Sequence, residues 1–345
     1  MPPPRVSVVI GQNRPRGFLR DAIGSVTSQL SEFPEAEIIV SLGEPDPLIG
    51  AEPAGLGPTG RVLEGCRPVL GEMLADAVSA ARGSVICFLD DDDRFLPGKL
   101  ARIAAIFEQD TGLGYYHHEA EFIDDAGRLV PPAGLRARVQ RKMRPGTTIQ
   151  LSGRTKIREN ARLASVSPDF NSSCIAVRRT SLEPFLGDLR KIRAGPDAFL
   201  FYMVGLTGPG SVRCDGDRWS AYRVHRASAS GVAGDPRADL QAAVLLQVEQ
   251  QALLVEIAQR RGRPDVARLA EANVASHSFF AALRSPDPTR GEWGRALVAA
   301  LPYWNSFVMR TNWLAYLGSF AAVLSPRLVQ TLYLRQRAVE GTLGA

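Results

Sequence analysis

The sequence predicts an α/β fold, a mainly parallel sheet with helices on both faces, followed by a helical C-terminal extension. Three observations predict it. The short apolar, β-branched runs Val6–Ile10, Glu37–Val40 and Val85–Leu89 have the length and composition of strands covered on both sides. Segments with apolar residues at helical spacing separate them, which is the alternation of a parallel sheet. Past about Asp235 the strand-like runs stop and the pattern turns helical.

Taken in order, Phe18 to Gln29 carries a helical stripe, and a Gly/Pro-rich loop from Gly43 to Gly60 follows the second strand. Leu70 to Ala81 reads as a helix with Gly83 as its C-cap. Lys99 to Gln109 is a further helix, Gly114 to Ile123 a strand running into an Asp-Asp-Ala-Gly turn, Cys174–Val177 a strand, and Asp197 to Val204 the opening of a helix. Leu240 to Gln259 and Val266 to Leu283 are amphipathic helices beyond a boundary near 232–236.

With 345 residues, 45% of them apolar and 22% charged, the chain can bury a large core and is not globally disordered. A net charge of +5 and a pI of about 9.2 favour anionic partners, whether phosphates, nucleic acid or an acidic membrane. Cys66, Cys87, Cys174 and Cys214 form no Cys-x-x-Cys pair, so reduced thiols of a cytoplasmic protein are expected in place of a zinc site or disulfide framework. The start, Met-Pro-Pro-Pro-Arg, leads directly into a strand, and no signal peptide is expected. The most apolar stretch, Trp313 to Leu324, is short of the roughly 18 residues a membrane span needs and stops at Ser325-Pro326.

The most informative segment is Phe88-Leu89 followed by Asp90, Asp91, Asp92 and Asp93. An apolar strand ends in four carboxylates, at the strand end where open α/β sheets bind ligands. Adjacent acids raise one another's pKa, and a cation should offset that cost. A hard divalent metal, Mg2+ or Mn2+, suits oxygen ligands and would hold a diphosphate and neutralise a leaving group. The plainer alternative is a solvated acidic loop or a helix N-terminus.

Residues 5 to 230 resemble the family 2 glycosyltransferases, which have the GT-A fold. The resemblance rests on five pieces in order. They are Val6–Ile10 with Asn13-Arg14-Pro15 and Phe18-Leu19, then Ala80-Ala81-Arg82-Gly83 with the strand, the acids, Pro97 and Leu100, then Tyr115 to Gly127. After these come Ile175–Arg179 with Pro196–Leu200, and Ala221-Tyr222-Arg223-Val224-His225 with Ser228 and Ser230. It implies a GT-A domain over 1–232, an extension over 233–345 for packing, oligomerisation or membrane contact, and transfer of a sugar from a nucleotide sugar to an acceptor hydroxyl with inversion. The acceptor class it implies is a surface glycan or a lipid-linked acceptor.

Site roles follow from the same resemblance. Asp90 and Asp92 match the outer acids of Asp-x-Asp, which contact the ribose or the metal–diphosphate unit, and Asp91 shares that work. Asp92 and His225 are the implied metal contacts, and Asp197 resembles the general base. Such a base takes the proton of an acceptor hydroxyl that is otherwise a poor nucleophile, on the way to an oxocarbenium-like transition state. The alternatives are a helix N-cap for Asp197 and a packed histidine for His225.

The chain departs from the family pattern in the nucleotide pocket. The first turn, Ile10 to Arg14, is about one residue short, the Asp-Asp-Gly-Ser after the second strand is replaced by Val40 to Glu44, and the usual Ala-Arg-Asn-x-Gly reads Met73 to Ala77. Asn13, Arg14, Ser41 and Glu44 remain as nucleotide contacts. A UDP-sugar is the default donor, with the base left open. Two rival functions are a sugar-phosphate nucleotidyltransferase, faintly echoed in Gly11 to Gly17, and a catalytically dead GT-A scaffold.

Residues 136 to 162 hold nine Arg or Lys and one acid. They are read as a contact for an anionic acceptor, a dock for the anionic cytoplasmic leaflet, or a solvated loop. Nucleic acid is not expected, since no nucleic-acid module is present. The tail carries Trp293, Tyr303, Trp304, Phe307, Trp313, Tyr316, Phe320 and Tyr333 with Arg310, Arg327, Arg335 and Arg337. These either pack the tail or form an interfacial surface. The expected location is the cytoplasm, with the inner membrane face as the peripheral option.

Overall fold

Strands that are apolar on both faces must be covered on both, and this decides the architecture. The computed structural model describes residues 5–46, 56, 60–64, 69–132, 134–225 and 238–284, together with 291, 294, 295, 298, 301–303 and 325. β1 (Val6–Gln12), β2 (Ala36–Leu42) and β4 (Val85–Asp90) are buried almost throughout, with β3 (Arg61–Leu63) beside β2. β5 (Arg94–Phe95), β6 (Leu113–Ile123), β7 (Thr148–Leu151), β8 (Ile175–Arg178) and β9 (Ser211–Arg223) complete a nine-stranded sheet among the described residues. Its order is β3-β2-β1-β4-β8-β6-β9-β5, with β7 also paired to β9.

The sheet is mixed. The ladders β1–β2, β1–β4, β2–β3 and β6–β9 are parallel, and β8 is antiparallel to both β4 and β6. Two reversals cancel, so β1, β2, β4, β6 and β9 all present their carboxyl ends at one edge, the ligand edge of an open α/β sheet. One face of the sheet packs Val8, Ile10, Ile38 and Leu89 against α1 (Leu19–Thr27) and α3 (Lys99–Gln109). α2 (Leu70–Ala80) packs on β1 and β2. A Cβ added at Gly11 would lie 3.1 Å from Leu74 of that helix.

Gly83 is not the C-cap of α2, which ends at Ala81 in extended conformation. Gly83 instead lies against β1, where a Cβ would come within 2.6 Å of the Ser7 backbone nitrogen. The segment 136–162 is not a solvated loop. It forms the end of α4 (Gly134–Lys142), then β7, α5 (Thr155–Arg158) and α6 (Asn160–Ala164), anchored by buried Val139, Met143, Leu151 and Leu163. Arg138, Arg141, Lys142, Arg144, Arg154 and Arg158 are exposed. Lys156 turns inward and donates to the carbonyls of Gly205, Gly208 and Gly210 at 2.9, 2.6 and 2.9 Å. Short helices α7 (Arg179–Leu182), α8 (Leu186–Leu189) and α9 (Pro196–Phe199) follow, and α9 runs on as a π-helix over Leu200–Thr207.

The chain divides into two compact units, Met1–Val130 with Arg138–Val224, and Pro131–Ala137 with His225–Ala345. In the second, α10 (Ala238–Arg260) and α11 (Pro264–Arg284) pack on each other with Leu254, Ile257, Val266 and Ala270 buried. The boundary expected near 232–236, Ser228, Ser230, Cys66, Trp293 and the tail from Trp304 to Arg337 lie outside the described residues, apart from Ser325. Cys87, Cys174 and Cys214 are free and buried. No helix among the described residues is long and apolar enough to cross a membrane.

At the amino edge of the sheet, Glu37 is wholly buried and accepts hydrogen bonds from the Ser7 hydroxyl (2.6 Å), the Arg82 backbone N–H (2.6 Å) and Arg61 (2.8 Å). Burial alone would raise its pKa, but these donors outweigh it and hold the carboxyl below its ordinary value. Its stabilising contribution is therefore present above the unfolded value of about 4.3 and lost as pH falls through the folded value. Glu37→Gln should lose about 2 kcal/mol in urea melts at pH 7, and the gap to the wild type should close below about pH 4.

Candidate active site

The acid turn is built from the inside outward. Asp93, with no exposed surface, is held on both oxygens. Its Oδ2 accepts from Asn171 Nδ2 (2.7 Å) and Ser173 Oγ (2.7 Å), and its Oδ1 from the backbone N–H of Arg223 (2.8 Å). Burial and the neighbouring Asp92 push its pKa up, and these three donors pull against them. Lys99 lies buried nearby, donating to Ser173 O (2.7 Å) and Ser220 Oγ (3.0 Å), with its ammonium 3.4 Å from the Phe95 ring centre. Burial lowers its pKa to about 8, so it stays largely cationic at neutral pH.

Arg223 is the second buried cation at this turn. Its Nε donates to the carbonyl of Asp92 (2.8 Å), one terminal nitrogen to the carbonyls of Asp124 (3.1 Å) and Asp125 (2.9 Å), and the other to Asp21, which Arg94 also contacts. The guanidinium sits 4.5 Å over the Phe18 ring. Much of the cation the acids call for is thus supplied by the protein itself, which composition alone did not reveal.

Of the other three acids, Asp91 and Asp92 are buried and Asp90 is partly exposed. Asp90 accepts at its carbonyl from the Asp93 N–H (3.2 Å) and donates its own N–H to Ser173 Oγ (2.9 Å). Its carboxyl pKa is raised well above the ordinary value by burial, then by Asp93, Asp92, Asp197 and Asp91. Burial and Asp92 raise Asp91 to about 7, opposed by Arg16. Arg16 donates to Asp92 Oδ2 at 2.8 Å and lies 3.6 Å from Asp91 Oδ1. Asp91 Oδ2 is buried with no hydrogen-bond partner. Gln12, wholly buried at the end of β1, lies beside Asp91 and helps hold its pKa down, yet neither amide atom has a hydrogen bond of normal geometry.

The expected nucleotide contacts lie at the carboxyl ends of β1 and β2. Gly43 donates to Gln12 O (2.8 Å), and a Cβ there would stand 3.0 Å from both Asn13 O and Asn13 Oδ1. Arg14 and Glu44 are exposed and 3.9 Å apart, while Ser41 is buried opposite Gly11. His225, two residues past β9, is buried and belongs to the second compact unit, whereas Asp92 belongs to the first.

Asp197 is not the N-cap of α9. That position is Gly195, in left-handed conformation, and Asp197 sits inside the first turn. Its Oδ1 accepts from the Ala198 N–H (2.9 Å) and its Oδ2 from the Asn171 N–H (3.1 Å). Burial, and then Asp169, raise its pKa to about 6 against those donors. Asn171 therefore joins Asp93 to Asp197. It does so at φ 60°, ψ 118°, outside the usual regions for a residue with a side chain, a strain of about 1–3 kcal/mol.

Among the described residues no three His, Cys, Asp or Glu side chains form a group that could hold a metal alone. A divalent ion that takes one or two carboxylates and completes its shell with substrate phosphates needs no such cage. The buried orphan oxygen of Asp91 beside Asp90 and Asp92 fits that kind of site.

No family model matches the sequence, and no curated protein matches it. Solved structures do. Residues 1–349 of S. aureus TarS in complex with UDP-GlcNAc superpose with a TM-score of 0.51 and 13% identity, over 92% of this chain and 91% of that one. The same protein in complex with UDP gives 0.50 and 14% over 92% and 90%. These likenesses show the fold, an α/β sheet of the GT-A type.

Arg223→Met removes the donors to Asp21 and to the carbonyls of Asp92, Asp124 and Asp125 while leaving the backbone N–H on Asp93. It should cost about 3 kcal/mol in denaturant melts, and Arg223→Lys should recover only part of that, because a point charge cannot serve four directions. A loss of under about 0.5 kcal/mol would show that the clamp carries no stability.

Proposed function

We propose that the chain is a glycosyltransferase that moves a sugar from a nucleotide-sugar donor to an acceptor hydroxyl with inversion. The observation that carries the reading is the acid turn Asp90–Asp92 close to Asp197 at the ligand edge of a GT-A sheet. The likeness to TarS bound to UDP-GlcNAc supports the donor class. In this reading Asn13, Arg14, Ser41 and Glu44 border the nucleoside, and Asp90, Asp91 and Asp92 face the diphosphate.

Asp92 would contribute to holding a Mg2+ or Mn2+ ion, whose chemistry is to neutralise charge gathering on the departing diphosphate. Asp197 takes the acceptor proton. A carboxylate with a pKa of about 6 is a stronger base than an ordinary aspartate and is still ionised at neutral pH. Its two backbone donors fix the orientation of the carboxylate without any side chain competing for the acceptor. The proposed acceptor is a surface glycan or a lipid-linked sugar met at the inner membrane face, and the exposed cations Arg138, Arg141, Lys142 and Arg144 support an anionic acceptor or leaflet.

Calorimetry with UDP, GDP, CDP, ADP and dTDP, each with Mn2+, Mg2+ or EDTA, tests the donor site. One nucleotide should bind only with metal and weaken at least about tenfold in Asp92→Ala, equivalent to about 1.4 kcal/mol. Binding of none by the folded protein would overturn the reading in favour of a scaffold. For the base, kcat/KM should rise with pH through about 6, where Asp197 loses its proton. Asp197→Asn should lower kcat by about 100-fold or more with nucleotide affinity unchanged, and a full-rate variant would remove Asp197 from the role.

A further inference from the structure

Asn171 has no role in the family resemblance, yet it occupies the junction of the site. Its backbone N–H donates to the proposed base Asp197 (3.1 Å), and its side-chain Nδ2 donates to Asp93 (2.7 Å). Its flanks are pinned. Tyr115 donates its hydroxyl to Pro168 O (2.6 Å), His117 Nε2 is hydrogen-bonded to Phe170 O (2.9 Å), and the Phe170 ring packs on Phe122 and Tyr222. The Ser173 hydroxyl is shared between the Asp90 N–H and the Asp93 carboxylate.

These contacts leave one atom unused. Because Nδ2 is committed to a carboxylate, the amide cannot turn over, and Oδ1 is its remaining end. Asn171 is 6% exposed, and Oδ1 is buried with no hydrogen-bond partner. A native fold rarely leaves a buried acceptor without a donor unless something outside the chain supplies one. The backbone is held at a positive φ to keep this amide in place. On one side stands the acid turn, given above to the donor diphosphate, and on the other the carboxylate given to the acceptor proton. The groups that meet between those two are sugar hydroxyls, which carry the donor hydrogen that Oδ1 lacks.

We propose that Asn171 Oδ1 accepts a hydrogen bond from a sugar hydroxyl of the bound substrates, making Asn171 a specificity-determining residue of the site. The inference rests on the glycosyltransferase reading. The hydroxyl belongs either to the transferred sugar or to the acceptor, and the two sources separate in one experiment.

Asn171→Gly deletes the side chain and keeps both the positive φ and the N–H on Asp197. UDP-GlcNAc, GDP-mannose and their nucleoside diphosphates serve as donor probes, and a set of p-nitrophenyl hexosides as acceptor probes. Nucleoside diphosphate affinity should stay within about twofold of the wild type, while one KM rises about tenfold. A rise for the nucleotide sugar assigns the hydroxyl to the transferred sugar, and a rise for the hexoside assigns it to the acceptor.

One monodeoxy analogue of the affected sugar should lose the same factor with the wild type and nothing further with Asn171→Gly, the mark of a direct contact. Unchanged KM values for both substrates would overturn the inference. So would equal losses for both substrates and for the nucleoside diphosphate, which a merely structural residue would give. Should the variant not fold, the monodeoxy series with the wild type decides alone, and a series with no tenfold loss overturns the inference. Absence of any nucleotide-sugar binding by the wild type would instead overturn the transferase reading on which the inference stands.

Discussion

One buried carboxylate holds the site together. Asp93 reaches the turn before β8 through Asn171 and Ser173 and the end of β9 through the Arg223 N–H, so three segments distant in sequence converge on two oxygens. A charge with no exposed surface is costly unless it is fully hydrogen-bonded and faces a counter-charge. Lys99 and Arg223 supply the positive charge close by. Three separate donors share the two oxygens, so loss of one weakens the network while the carboxylate stays hydrogen-bonded through the other two.

That inner network explains how three further acids can sit side by side. Arg223 grips the Asp92 carbonyl, and Ser173 takes the Asp90 N–H, so the turn is fixed through its backbone. Burial and mutual repulsion then raise Asp90 and Asp91, and Arg16 covers Asp92 from the first turn. Buried polar atoms without partners gather around this turn, on Gln12, Asn13, Asp91 and Asn171. A fold stable enough to tolerate such orphans keeps them where a polar ligand is to be met.

Much of the frame was legible in the residues. β1, β2 and β4 declare themselves as β-branched runs, α3 matches its apolar stripe from Lys99 to Gln109, and the acids stand at the strand end that an open sheet turns towards its ligand. β9 was not legible, because Asp215-Gly216-Asp217 reads as a turn. In the structure Gly216 lies mid-strand, where a Cβ would fall 2.1 Å from Arg144 O, and irregular register absorbs the polar stretch. Lys99 and Arg223 look like solvated surface charges in a sequence, and only the sheet order reveals that both are buried beneath the acid turn. Asn171 was invisible for a related reason. Its importance lies in a backbone angle and in two partners 78 and 26 residues away. Asn13, Arg14, Ser41 and Glu44, expected on the nucleotide side, lie at the ends of β1 and β2, and Gln12 and Arg16 make the closer approach to the acids.

The central claim is a division of labour within four consecutive aspartates, the inner one structural and the outer three for a diphosphate and its metal. Diffraction from crystals grown with Mn2+ and the nucleoside diphosphate that binds would test it most directly, using the manganese anomalous signal. The account predicts manganese between Asp92 and the diphosphate, Arg16 displaced from Asp92, and Asp93 still held by Asn171, Ser173 and Arg223. Manganese or nucleotide bound away from the acid turn, or Asp93 drawn out of its network to reach the metal, would contradict it.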